Sequence, residues 1–217
     1  MKALIVGSTG LIGNCCLQEL LTDDTYTVIE IWVRKPTEYS QHRLIEKLIN
    51  FDKISEMPST DADHMFCCLG TTINKVKSKE LFVKIDRDYV TELAKLAERS
   101  GCKSFVVISS IGANSNSGNF YLRTKGEMED ALKKLAIPSI YILRPSILLG
   151  KRNEFRFGEL LGKAFMVGFQ FLFIGKLRKY RGIQASVVGR AMISLAKSEG
   201  NGIFTIESDQ IQKIIDG

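Results

Sequence analysis

Four side chains in this sequence could move a proton together: Ser109 and Ser110, followed by Tyr121 and Lys125. Tyr121 and Lys125 lie four residues apart, so on a helix they share one face. A phenol with a pKa of about 10 is a poor acid or base at neutral pH, and a lysine cation beside it stabilises the phenolate and brings proton transfer within reach. A serine hydroxyl close by would hydrogen-bond a substrate oxygen and stabilise charge developing there. The spacing does not choose between Ser109 and Ser110. Tyr-x-x-x-Lys alone also describes an amphipathic helix with an exposed lysine, so its weight depends on what surrounds it.

What surrounds it is a glycine loop. Gly7-Ser8-Thr9-Gly10-Leu11-Ile12-Gly13 follows a short apolar run and opens a helical stretch. Glycines in that pattern allow a tight turn, let backbone approach a pyrophosphate and let the helix pack closely on the strand, while the helix N-terminus presents free N–H groups to phosphate. About 20 residues on, where an NAD enzyme carries an acid for the ribose 2′-hydroxyl, stand Arg34 and Lys35. A guanidinium binds a 2′-phosphate that an acid would repel, so NADP(H) is favoured over NAD(H). Lys125 would then also hold the nicotinamide ribose. Cys67-Cys68-Leu69-Gly70-Thr71-Thr72, at a later strand end, would line the same cleft with backbone. Asp52, near a possible third strand, could meet the adenine edge, but a solvated loop carboxylate is the preferred reading. The cysteines read as packing, and His42 and His64 have no partner at metal-ligand spacing, so no metal is expected.

The elements that must position these groups follow from periodicity. Strands are expected near Ala3–Val6, Thr27–Val33, His64–Leu69, Ser104–Ser109 and Ser139–Leu143, with helices near Leu11–Leu21, Ser78–Ser100 and Asn119–Leu135. Consecutive apolar residues such as Phe105-Val106-Val107-Ile108 mark strands covered on both faces. The fold class is therefore α/β: a doubly wound, Rossmann-type parallel sheet with helices on both faces and a small C-terminal extension on the substrate side. Helices near Phe155–Phe165 and Val187–Lys197, a strand Ile203–Glu207 and a short last helix complete the pattern. One domain over 1–217 is expected, with 151–217 shaping the substrate pocket.

Composition bounds the rest. The 217 residues are 45% hydrophobic and 25% charged, with net charge +6, which suits a soluble domain with an anionic ligand or surface. No nucleic-acid signature accompanies the basic residues, so nucleic acid is not expected as a partner. The apolar run 164–174 is flanked by Lys163 and by Lys176, Arg178, Lys179 and Arg181. It is too short to span a bilayer and reads as a pocket wall or subunit interface, with peripheral membrane contact through 164–181 the lesser alternative. Five cysteines in an odd count suit a reducing compartment, and no secretory segment precedes Ala3, so a cytoplasmic location is expected. Oligomeric state is not read from the sequence.

These stretches together resemble the atypical short-chain dehydrogenase/reductase superfamily, and more narrowly the family of the human Tat-interactive oxidoreductase and its bacterial relatives. The resemblance rests on Cys67 to Thr72, Val83-Lys84-Ile85-Asp86-Arg87-Asp88-Tyr89-Val90, Ser109-Ser110-Ile111-Gly112-Ala113, Tyr121 to Glu127, and Arg144-Pro145 with Leu148-Leu149. It implies an NADPH-binding protein with Tyr121 and Lys125 in the catalytic places and prefers Ser110 as the serine. Cofactor contacts are implied at Gly7 to Gly13, Arg34, Lys35, Leu69 and Gly70, and at Arg152 beyond the Arg-Pro corner. Lys35 replaces a second arginine, which weakens the expected phosphate grip, and the segment 165–181 departs from the pattern. The function expected is reduction of a small-molecule carbonyl. The alternative is a regulatory NADPH-binding protein acting through partners. A sugar-nucleotide epimerase is disfavoured because it needs a larger substrate domain.

Overall fold

Apolar residues occupy consecutive positions in β1 (Lys2–Val6), β4 (His64–Cys67) and β5 (Ser104–Ile108), so these strands cannot turn either face to water. In the computed structural model, which describes residues 1–150, 175–198 and 200–216, they form the centre of a seven-stranded parallel sheet. With β2 (Val28–Val33), β3 (Leu44–Leu48), β6 (Ser139–Arg144) and an outer strand Gly202–Glu207, the order is β3-β2-β1-β4-β5-β6 and then the outer strand. A separate parallel pair joins β7 (Leu148–Leu149) to β8 (Ile183–Gln184), which makes the outer strand β9.

Successive residues of each strand serve opposite layers. Ala3, Ile5, Ile29, Ile31 and Phe66 pack under α1 (Leu11–Thr22) and α6 (Ala185–Lys197). Leu4, Val6, Met65, Phe105 and Val107 pack under α4 (Tyr89–Arg99) and α5 (Phe120–Leu132). Each such buried aliphatic side chain contributes about 1.5–3 kcal/mol relative to exposure. This is the expected doubly wound sheet with helices on both faces.

Several boundaries differ from expectation for local reasons. The helix expected over Ser78–Ser100 is continuous but not uniform: α3 (Lys79–Val83) passes through a π-helical turn at Lys84–Asp88 into α4. A one-turn α2 (Ile73–Val76) precedes it, and a helix α7 (Ser208–Asp216) closes the described chain. The strand expected through Leu69 stops at Cys67, because the chain there must clear the turn at Gly7. The possible third strand near Asp52 is β3, an edge strand with only Leu44 and Glu46 half-buried, which leaves a weak periodic signal. The helix expected near Phe155–Phe165 and the apolar run 164–174 lie outside the described residues. No helix among the described residues is long and apolar enough to cross a membrane.

Between β1 and β4 the connections run off in opposite directions, which opens a crevice at the carboxyl ends of these two strands. Both the glycine loop and the Cys68–Thr72 segment enter it.

Candidate functional site

The crevice is a cleft of about 1000 Å³. Thr9 to Ile12 of the glycine loop form one wall and Cys68 to Thr72 another, and Ser109, Ser110, Tyr121 and Lys125 reach it from β5 and α5. The sequence-expected loop, strand-end serines and relay pair therefore share one space.

The loop is shaped by contact distances that no side chain could meet. Gly7 has φ +85°, and a Cβ on it would stand 2.7 Å from the Cys68 carbonyl. A Cβ on Gly13 would stand 2.0 Å from the Gly7 carbonyl oxygen, which locks α1 against the turn. Gly10 caps α1 without any side-chain hydrogen bond, and the first turn carries no acid. Its N–H groups and the positive end of the helix are thus left for an anionic ligand. This backbone-only cradle fits a dinucleotide pyrophosphate. Ser8, at its base, is fully buried, and its hydroxyl has no hydrogen-bond partner among the described residues.

Arg34 and Lys35 follow β2 directly and are exposed, beside the cleft and not among the residues that line it. Tyr39 lines it in their place, next to Asn14, whose amide nitrogen it meets at 2.5 Å. Asp52 is turned to solvent, held by Lys84 at 2.7 Å and by the Tyr89 hydroxyl. Arg152 lies outside the described residues.

Asn119 caps α5 by accepting a hydrogen bond from the Leu122 N–H, so Tyr121 falls in the first turn and Lys125 in the second. Gly126 seats this helix: a Cβ there would lie 2.1 Å from the Ser115 nitrogen. The Tyr121 ring packs on Phe82 of α3, centroids 5.7 Å apart. Lys125 is buried, and its ammonium stands 2.8 Å from Oδ1 of Asp86, which is buried too. The other Asp86 oxygen accepts the Thr71 N–H at 2.8 Å. Burial works against a charged Lys125, but the negative Asp86 beside it outweighs that and holds its pKa above the usual lysine range. Asp86 is the site residue that spacing did not single out. It lay inside one of the resembling stretches, but only the π turn carries it round to face Lys125.

The two serines separate by environment. Ser109 is buried and donates to Oε1 of Glu129 at 2.5 Å, and the same carboxylate binds Arg144. Ser110 is half-buried on the cleft with only a 3.4 Å contact to the Ile111 carbonyl. The cysteines are free. Burial pushes the thiol of Cys67 up to about 12 and that of Cys102 up to about 11, so both stay neutral. His64 is a core group, its Nδ1 2.7 Å from the Tyr26 hydroxyl. No cluster of three metal-ligating side chains occurs among the described residues.

Comparison with known proteins places these features. Residues 32–166 match the model of the HIM1 family. The protein HTATIP2 of Rattus norvegicus is 34% identical over 169 residues, covering 76% of this chain and 69% of that one. The FMP52 protein of Eremothecium gossypii, named as mitochondrial, is 31% identical over 220 residues, 99% of this chain and 97% of its own. The FMP52 protein of Candida albicans, also named as mitochondrial, is 31% identical over 226 residues. Among solved structures, MoeE5 in complex with UDP-glucose and NAD superposes with a TM-score of 0.70 at 14% identity, covering 100% of this chain and 80% of that one. The human epimerase family protein SDR39U1 with NADPH gives 0.62 at 17% identity, covering 94% and 73%. At these identities the structural likeness establishes the fold alone, a Rossmann-like parallel α/β sheet flanked by helices. The fungal names correct one expectation. A cytoplasmic location does not stand beside relatives named as mitochondrial. Neither an odd count of cysteines nor the shortness of the first apolar run separates the two locations, because mitochondrial addresses are amphipathic and arginine-rich and leave no apolar run.

Proposed function

The chain belongs to the HIM1 family, and from that premise we propose that it is an NADPH-dependent reductase of a small-molecule carbonyl. The observation that carries this reading is the meeting of Tyr121 and Lys125, on successive turns of α5, with the glycine loop in a single cleft. When bound, the nicotinamide supplies a hydride to the carbonyl carbon. Tyr121 donates its phenolic proton to the oxygen that becomes the alcohol. Ser110 donates a hydrogen bond to the same oxygen, Ser109 being committed to Glu129. Lys125 stays a cation and offers its remaining donors to the ribose hydroxyls. Gly7 to Gly13 hold the pyrophosphate with backbone, and Leu69 and Gly70 line the cofactor side. Arg34, with Lys35 beside it, takes the 2′-phosphate and sets the preference for NADP(H) over NAD(H). The reading of one domain, with 151–217 on the substrate side, belongs to the same proposal.

The test follows NADPH oxidation against aldehydes, ketones and quinones, with Tyr121→Phe in parallel and cofactor binding read by fluorescence. Turnover should fall by about 10²–10⁴-fold in the variant while NADPH still binds. A fully active variant overturns the assignment of Tyr121, and equal affinity for NADPH and NADH overturns the cofactor preference. Tight NADPH binding without turnover on any carbonyl would turn the reading to a regulatory protein that senses the cofactor.

A further inference from the structure

Among the described residues, few titratable groups face Lys125. From its own helix there is Tyr121, from the π turn Asp86, and from β4 the neutral, buried thiol of Cys67. Asp86 is thus the one counter-ion of a buried ammonium among the described residues, at 2.8 Å, with side-chain exposures of 3% for Lys125 and 1% for Asp86. The same carboxylate takes the Thr71 N–H and so ties down the loop that lines the cleft after β4. The segment carrying Asp86 is itself clamped to α5 on two sides, by Phe82 on the rings of Phe120 and Tyr121 and by Arg87 on Glu127 at 2.8 Å.

We propose that Asp86 is a positioning residue for the cofactor site: one buried carboxylate fixes the ammonium of Lys125 as a cation and holds the Leu69–Thr72 loop, so that NADPH meets both in a single arrangement. This rests on the NADPH reading above but not on catalysis. An ammonium has three donors. Asp86 stands against it as an ion pair at 2.8 Å, and no other polar partner of Lys125 occurs among the described residues. The remaining donors are free for vicinal ribose hydroxyls only while the lysine keeps its charge. Without Asp86, burial alone would push the Lys125 pKa down and favour the neutral amine, as it does for isolated buried lysines.

The experiment measures the dissociation constant for NADPH by fluorescence between about pH 7 and pH 9.5, a range in which the 2′-phosphate is already ionised. The wild-type value should vary by less than about threefold, because the ion pair keeps Lys125 charged throughout. Asp86→Asn should bind about tenfold or more weakly than the wild type at the upper limit and approach Lys125→Met there. Lys125→Met should bind weakly at every pH, and adding Asp86→Asn to it should restore no pH dependence. Wild-type affinity in Asp86→Asn across the whole range overturns the proposal while leaving NADPH as the ligand. If Asp86→Asn does not fold, a wild-type constant that climbs steeply across the same range overturns it on its own. Absence of NADPH binding in the wild type sinks both readings, whereas the expected binding profiles in a protein without turnover would keep this proposal and remove the reductase.

Discussion

Helix α5 carries two buried ion pairs one turn apart, and they are built differently. Glu129 is saturated: it accepts Ser109 Oγ at 2.5 Å and two Arg144 nitrogens at 2.9 and 2.6 Å, and Arg144 continues to Glu207 and to the Ala113 carbonyl. Lys125, four residues earlier, has one carboxylate and a cleft in front of it. Both pairs bear the desolvation cost of burial, and only the first recovers it with protein partners alone. On the proposed reading, the difference separates a group that holds the fold from a group left open toward a ligand, although both sit on one face of one helix.

The largest expected effect tests the closed pair. Glu129→Ala strands a half-buried guanidinium and a buried hydroxyl, and unfolding in urea should show a loss of about 3–5 kcal/mol, with NADPH affinity of the folded fraction unchanged. A loss of affinity without a loss of stability would invert the comparison. Next come the adjacent serines. Ser110→Ala should cut kcat by about 10²–10³-fold at unchanged stability, while Ser109→Ala should cost about 1 kcal/mol of stability and leave kcat nearly intact. The reverse pattern would place the reacting oxygen against Ser109.

A third sealed site makes the comparison depend on pH. Burial depresses the folded pKa of His64 from 6.5 to about 4. The unfolded chain therefore binds the proton more readily, so this contribution is fully present above pH 6.5 and is lost as the pH falls toward 4. The loss should approach about 3 kcal/mol across that window, at about 1.4 kcal/mol per unit. A urea midpoint that does not move between those limits, or that moves equally in His64→Gln, would show that another group sets the acid limb.

Much of this was legible from residues alone, because it rests on local chemistry. The sheet follows from apolar runs such as Phe105 to Ile108, and the cradle from glycine spacing at a strand–helix junction. Tyr121 and Lys125 share a face because helices repeat every 3.6 residues. What spacing could not show depends on packing between distant segments. Nothing near Ser109 in sequence says that Glu129 and Arg144 will claim its hydroxyl, and nothing near Lys125 announces Asp86, 39 positions away. β3 was legible only as a possible third strand near Asp52, without bounds, because an edge strand needs only one covered face and Leu44 to Leu48 carry the weak pattern that follows.

The π turn at Lys84–Asp88 has a consequence for how this chain aligns with others. A π turn holds one residue more than the α-helical path it replaces, and each residue advances an α-helix by about 100°. A relative that lacked the extra residue would show a one-position gap inside an otherwise continuous helix, and an aligner guided by helical periodicity would close it. The acid paired with Lys125 would then appear shifted by one column, opposite Arg87 or Ile85. In such a relative the gap, more than the residue identity at that column, would mark whether a carboxylate can reach the ammonium.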